Sequence, residues 1–298
     1  MKYLVIDIGG TFTKYAVMDE KAAFYEKGKI PTAKDSEEDF LHMIEELYER
    51  YRDDAEGIAI SAPGFIDGER GFMRTAGSIF CVHDLDIVSV LESRLDIPVT
   101  VENDARCAAA AEMDRGSLKG CSDAVVIIIG TALGGTVFCG GRMLRGKNLF
   151  AGEFSYMLSD ADDALNPKKV LAETDGAPAL IRLAVEETGI SEEELDGEKV
   201  FEMAQSGDVR ILKALRRYTR RIAAHIMNCQ FMVNPERIAV GGGISVQPLL
   251  IQYIREELAA ICKCYPHEIP VPEVTVCQYY NDSNLIGALC VHLNRRKQ

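Results

Sequence analysis

Residues 7–14, Asp7-Ile8-Gly9-Gly10-Thr11-Phe12-Thr13-Lys14, decide how the rest of the chain is read. An apolar run from Tyr3 to Ile8 ends in a carboxylate and two glycines. A second strand pattern, Lys14 to Met18, follows at hairpin distance and stops at Asp19-Glu20. Glycines leave backbone N–H groups open to a phosphate because no Cβ stands in the way. The threonine hydroxyls can add donors, and a carboxylate at a strand end can hold Mg2+ through water. The glycine spacing and the absence of a following Lys-Ser/Thr exclude a Walker loop. A hairpin that uses glycines only to turn is the plain alternative.

Further along, the pattern recurs. Ala124 to Ile129 reads as a strand, then come Gly130-Thr131-Ala132-Leu133-Gly134-Gly135 and a strand from Thr136 to Cys139. Two halves that each open with strand, glycine turn and strand point to an internal duplication. Two such turns suit a nucleoside triphosphate. A third, Gly241-Gly242-Gly243-Ile244-Ser245, follows a strand at Ile238–Val240 and precedes a helix at Pro248–Cys262. There bare backbone can meet a ligand at a helix start, or a strand can simply pack closely on a helix.

Between these landmarks, residues 36–52 have helical periodicity, with Phe40, Met43, Ile44, Leu47 and Tyr51 on one face. Gly57 to Ser61 is a strand closed by Ala62-Pro63-Gly64, and a helix from about Leu85 to Leu95 leads to a strand at Val99–Val101. That strand delivers Glu102-Asn103-Asp104 to the alanine-rich helix Ala105–Met113. Residues 161–167 read as a polar loop. Helices follow at Ala177–Glu187, Glu198–Ala204 and Arg210–Phe231, and a strand at Val274–Gln278 precedes a helix at Asn284–Leu293.

The 298 residues suit two lobes better than one small core. A net charge of −13 argues against nucleic-acid or anionic-membrane partners, which need a basic face. The longest apolar runs, such as Ala124 to Ile129, are too short to span a bilayer, and the first residues do not read as a signal peptide, so a cytoplasmic location is expected. Nine cysteines, an odd number and mostly isolated, read as small buried hydrophobes, among them Cys107, Cys139 and Cys290. Cys262-Lys263-Cys264 with His267 is a conceivable metal cluster that lacks an evident fourth ligand.

Asp104 falls where a strand gives way to a helix, the usual place for chemistry in α/β proteins. Phosphoryl transfer needs a positioned hydroxyl, a base that takes its proton late, and charge compensation at the phosphate. Asp104 can be that base, and Asn103 can hydrogen-bond a neighbouring sugar hydroxyl. Both residue types also cap helices well, and position alone leaves that alternative open.

Taken as an ordered set, residues 7–14, Ser61-Ala62-Pro63-Gly64-Phe65-Ile66-Asp67, Glu102-Asn103-Asp104-Ala105, 130–135, Ala151-Gly152-Glu153 and 241–243 resemble the ROK family of bacterial sugar kinases, repressors and open reading frames. The resemblance runs from Met1 to the last helix. It implies an α/β, two-lobed actin-like (ribonuclease H-like) ATPase fold with duplicated mixed β-sheet domains and an interdomain cleft. Residues 1–118, joined by a helix at about 285–298, would form the small lobe, and 119–284 the large one. It implies ATP and Mg2+ as cofactors, with transfer to a hexose 6-hydroxyl. Asp104 would be the catalytic base and Asn103 a sugar ligand. Gly9, Gly10, Thr11, Thr13 and Lys14 would serve the phosphates, with Asp7 assisting Mg2+. Gly130 and Thr131 would form the second phosphate turn, and Gly242 and Gly243 would lie near the adenosine. Gly64, Glu153 and Ser78 of the Gly77-Ser78 loop would face the sugar. A glutamate can bind two vicinal hydroxyls at once, which gives Glu153 a physical reason for that role.

Departures from the family pattern matter as well. Tyr156 stands where zinc-binding members carry a histidine, and no Cys or His occurs between Tyr156 and Met203, so no structural zinc is expected. Tyr156 could be a packed residue, or it could stack on a sugar face or an aglycone, which suits a β-glucoside or an N-acetylated hexosamine. Glu173 is the nearest candidate for a second sugar-binding glutamate. Repressors of the family carry a DNA-binding helix-turn-helix, whereas this chain begins at the phosphate strand and is acidic. A non-catalytic or regulatory sugar-binding protein is the alternative to a kinase. Such kinases are often homodimers, so a homodimer is expected.

Overall fold

The computed structural model describes residues 1–296, and the chain divides into two compact units: Met1–Gly116 with the C-terminal segment from Asn281, and Ser117–Tyr280. The first unit is built on a sheet in the order β3-β2-β1-β4-β8. Its meander comprises β1 (Lys2–Ile8), β2 (Phe12–Asp19) and β3 (Phe24–Pro31), all antiparallel; β4 (Ala55–Ala62) and β8 (Val99–Asn103) extend it in parallel. Every residue of β1 from Tyr3 to Ile8 is buried, as a central strand covered on both faces requires. Asp7 pairs in register with Ser61, and Ser61 with Glu102, so the C-terminal ends of the three parallel strands lie along one edge.

Three further short strands, β5 (Ile66–Asp67), β6 (Phe72–Thr75) and β7 (His83–Leu85), form a small antiparallel sheet of their own. Helix α1 (Glu37–Glu49) starts at Ser36, whose hydroxyl accepts from the Asp39 N–H at 3.0 Å, and it buries Phe40, Met43, Ile44 and Leu47 as the periodicity predicts. Helix α2 (Ile87–Leu95) precedes β8, and α3 (Asp104–Asp114) follows it.

The second unit repeats the plan. Strands β9 (Ala124–Ile129), β10 (Leu133–Cys139), β11 (Arg142–Met143), β12 (Arg237–Gly241) and β13 (Val274–Val276) take the order β11-β10-β9-β12-β13. Again the first three run antiparallel and the last two join in parallel. Identical order and direction in both sheets is the duplication expected of an actin-like fold. Its core packs against α4 (Leu171–Thr174), α5 (Ala177–Thr188), α6 (Gly197–Gln205), α7 (Val209–Val233) and α8 (Pro248–Cys262). The last helix, α9 (Ser283–Arg295), returns to the first unit and lies against α3. Contact there is backbone to backbone: a Cβ on Gly287 would lie 1.7 Å from the Cys107 carbonyl oxygen.

Strand β3 and the small sheet have no counterpart in the sequence reading. β3 is an edge strand whose Tyr25, Glu26 and Lys27 are exposed, so it lacks the apolar run of a core strand. All nine cysteines are free thiols. Cys107 and Cys290 are buried as expected, but Cys139 and Cys264 are exposed at element ends. Cys262 is buried with its sulfur 3.8 Å from the Met227 sulfur, and the described residues hold no group of three or more His, Cys, Asp or Glu arranged for a metal. No described helix is long and apolar enough to cross a membrane.

Candidate active site

In the first unit the edge formed by β1, β4 and β8 collects the residues singled out by sequence. Asp7, 8% exposed, ends β1; its Oδ1 accepts from Ser61 Oγ at 2.9 Å and from Asn284 Nδ2 at 3.0 Å. Both donors are neutral, and no cation among the described residues pairs with this carboxylate, so its charge is oriented but uncompensated. The hairpin closes with the Gly9 N–H donating to the Phe12 carbonyl at 3.1 Å, leaving Gly10 and Thr11 at the tip. Lys14 is exposed on β2.

Thr13 departs from its expected phosphate role. It is completely buried, and its hydroxyl lies 2.9 Å from that of Thr32, which in turn donates to the Gly9 carbonyl at 2.7 Å. Since the one Thr32 proton is used on Gly9, Thr13 must be the donor to Thr32. Its side chain fastens the turn from below; Thr11, exposed at the tip, is the hydroxyl available to a ligand.

Of the residues expected to face a sugar, Ser78 lies close to this turn. The Gly77-Ser78 loop comes close to Gly10: a Cβ there would lie 2.3 Å from Ser78 Oγ, which would have to rotate away. Gly64 has φ +98°, and a Cβ there would meet the Thr75 carbonyl oxygen at 2.4 Å and the Gly77 nitrogen at 2.7 Å. Its carbonyl accepts from Asn103 Nδ2 at 3.1 Å. Asn103 is also the N-cap of α3, its Oδ1 accepting from the Arg106 N–H at 3.2 Å. Asp104 follows, half-buried, with Oδ1 accepting from the Ala105 N–H at 2.8 Å. Capping and ligand binding are therefore compatible here, because the cap fixes the direction of the two side chains. Beneath them Glu102 is fully buried, accepts from the Asn103 N–H at 2.9 Å, and has Oε2 3.9 Å from Arg295 Nη2.

Within the second unit, the turn after β9 lies against the start of α5. The Ala177 N–H donates to the Gly130 carbonyl at 2.8 Å, and a Cβ on Gly176 would lie 2.2 Å from the Thr131 carbonyl oxygen. Gly242, at φ +98°, packs its Cα side on the Ile129 carbonyl, where a Cβ would stand 2.1 Å away. Thus Gly130, Thr131 and Gly242 cluster at the end of β9. A Cβ on Gly243 would meet nothing within 4 Å, and one on Gly130 only the Ala132 carbonyl oxygen at 3.6 Å. Among the described residues, none crowds the Cβ positions of these two glycines.

Glu153 is half-exposed at the start of a single 3-10 turn, Phe154–Tyr156, that packs on β10 through buried Phe154. Tyr156 is 57% exposed, not packed into the core. Glu173 stands exposed on α4, in a shallow cavity shared with Lys168, Lys169 and Arg182, and no described contact joins it to Glu153. Ser61, Asn284, Glu102 and Gly176 had no role assigned from sequence. Glycine before Pro178 at a helix start could have flagged Gly176; Asn284 is 277 residues from Asp7 and carries no local signal.

Comparison with known proteins sets these units in context. Over 296 residues the chain is 29% identical to the beta-glucoside kinase of Klebsiella pneumoniae, covering 99% of this chain and 97% of that protein. A crystal structure of a ROK family protein from Streptococcus pneumoniae TIGR4, in complex with sucrose, superposes with a TM-score of 0.88 at 29% identity over the full length of both chains. A ROK family glucokinase from Streptomyces griseus, in complex with glucose and AMPPNP, gives a TM-score of 0.77 at 25% identity, covering 97% of this chain and 98% of that one. The model of the ROK family matches residues 3–295, nearly everything described above, and the chain belongs to the ROK family.

Proposed function

We propose that this ROK protein transfers the γ-phosphoryl group of ATP to the 6-hydroxyl of a β-glucoside, with Asp104 as the base. The observation that carries the reading is the run of contacts in the first unit from Gly10 to Ser78, from Gly77 to Gly64, and from Gly64 to Asn103, the residue before Asp104. A phosphate turn, a sugar loop and a carboxylate are thereby parts of one continuous surface. Asp104, whose Oδ1 accepts from the Ala105 N–H, takes the hydroxyl proton as the new P–O bond forms and the bond to ADP breaks. Asn103 orients a neighbouring hydroxyl; in the second unit, Glu153 is a carboxylate able to take two vicinal hydroxyls. In the first unit Gly9, Gly10 and Thr11 are the candidate phosphate ligands; within the second, Gly130 and Thr131 are the candidate phosphate turn and Gly242 and Gly243 the candidate adenosine contacts.

Asp7 fits Mg2+: it is a hard oxygen donor whose charge no cation among the described residues offsets and whose orientation two neutral donors fix. The metal would supply charge compensation at the phosphates. The glycoside reading draws on the beta-glucoside kinase and the sucrose complex among the relatives. A homodimer is the expected assembly, and light scattering measures it.

The test is ADP release across glucose, mannose, fructose, N-acetylmannosamine, N-acetylglucosamine, cellobiose and aryl β-glucosides. The reading expects β-glucosides to give the highest kcat/KM. If no sugar stimulates ADP release, the chain is a sugar-binding regulator rather than a kinase.

A further inference from the structure

Three side chains of α7 reach back to the residues that precede α5. Tyr218, Arg221 and His225 stand at i, i+3 and i+7 and so lie along one face of the helix. The Tyr218 hydroxyl, on a completely buried side chain, donates to the Asp175 carbonyl at 2.9 Å, with the Gly176 carbonyl at 3.4 Å. Arg221 Nη1 donates to the Thr174 carbonyl at 3.3 Å. His225 Nε2 stands 3.5 Å from Asp175 Oδ2, which also accepts from Thr174 Oγ1.

The other side of this segment meets the turn after β9. Thr131 is exposed at the tip, between the paired strand ends Ile129 and Leu133. The Gly130 carbonyl is held by the Ala177 N–H at 2.8 Å, and Gly176 lies so close to the Thr131 carbonyl oxygen that a Cβ would stand 2.2 Å from it. Both contacts fix backbone, so a shift of residues 174–176 shifts the turn with them. Asp175 is 2% exposed, and burying a carboxylate is costly unless its charge is compensated. Burial raises its pKa, but the adjacent His225 and Thr174 and the charge of Arg221 outweigh that and hold the carboxyl below its ordinary value. Apolar residues could fill the same space. The polar set adds direction, because the 174–176 backbone must satisfy Tyr218, Arg221 and His225 together.

We propose that Tyr218 and His225 are positioning residues for nucleotide binding, which act through Asp175 and Gly176 to hold the Gly130-Thr131 turn in the geometry that takes a phosphate. This rests on the reading of that turn as a phosphate ligand. Backbone N–H groups and a hydroxyl grip an anion only where they converge, and a turn fixed before the ligand arrives loses less freedom on binding. Releasing the turn therefore weakens the nucleotide and leaves the sugar's own ligands in place.

The experiment measures calorimetric affinity for AMPPNP with Mg2+, and separately for whichever sugar of the panel the wild type binds most tightly. It compares the wild type with Tyr218→Phe, His225→Ala, His225→Gln and Gly130→Val. Tyr218→Phe and His225→Ala are expected to weaken AMPPNP about tenfold, with sugar affinity unchanged. His225→Gln keeps a donor near the Nε2 position and is expected to retain most of the affinity. Gly130→Val places a side chain over the turn, where a Cβ meets only the Ala132 carbonyl oxygen at 3.6 Å, and it tests the phosphate reading by itself. A loss of AMPPNP affinity in Gly130→Val with none in Tyr218→Phe or His225→Ala overturns the proposal. So does an equal loss of AMPPNP and sugar affinity, which marks a general loosening of the fold. Unchanged AMPPNP affinity in Gly130→Val is a different result and overturns the phosphate reading of the turn itself.

Discussion

Asn284 Nδ2, at the start of the last helix, donates to Asp7 Oδ1, at the end of the first strand, over 3.0 Å. With Ser61 Oγ on the same oxygen, it decides which way the carboxylate faces. Asn284→Ala removes one of two donors to a buried charge, a loss of about 1.5–3 kcal/mol for hydrogen bonds to charged groups. The expected outcome is a lower denaturation midpoint together with a higher Mg2+ concentration for half-maximal activity. Titration of activity with Mg2+ checks it; an unshifted Mg2+ curve would detach Asn284 from the nucleotide site.

Gly287 tests the packing of α9 on α3. Its missing Cβ would sit 1.7 Å from the Cys107 carbonyl oxygen, so Gly287→Ala must push two helices apart. A cost at or above about 3 kcal/mol is expected in chemical denaturation. Gly189 is the control. It has φ +75° at the C-terminal end of α5 with nothing within 4 Å of a Cβ, so Gly189→Ala meets only backbone strain, about 1 kcal/mol.

His292 makes the first unit sensitive to acid. It is completely buried, with Nδ1 3.0 Å from Thr100 Oγ1 and with Nε2 close under Gly57. Burial first, then the neighbouring Arg296 and Arg295, push its pKa from 6.5 down to about 4. Between those values the unfolded chain binds a proton that the folded chain refuses, so stability rises with pH across this window. The contribution is complete above pH 6.5 and is lost progressively as the pH falls to about 4, a change of about 3 kcal/mol. Unfolding free energies from pH 7 to 4 should show this slope, and His292→Gln should flatten it by about one proton.

Much of this architecture is legible in the chain because local rules agree with the fold. Pro248 at a helix start gives α8 its bounds, and Ser36 gives α1 its beginning. The two glycine turns reveal a duplication that the two sheets repeat strand for strand. Thr13 was open to misreading because a threonine in a phosphate turn suggests a ligand. Side chains alternate along a strand, however, so Thr13 points inward while Thr11 and Phe12 at the turn and Lys14 on the strand are exposed. Asn284 and Arg295 were beyond reach for another reason. Their partners lie far off in sequence.

In the proposed reaction Asp104 takes the proton of the sugar hydroxyl. Asp104→Asn keeps the shape and can still accept from the Ala105 N–H, but it cannot act as a base. Steady-state turnover beside calorimetric sugar binding is the direct test. Loss of the base should lower kcat by about 10²–10⁴ with sugar affinity nearly unchanged. Turnover close to that of the wild type would contradict it.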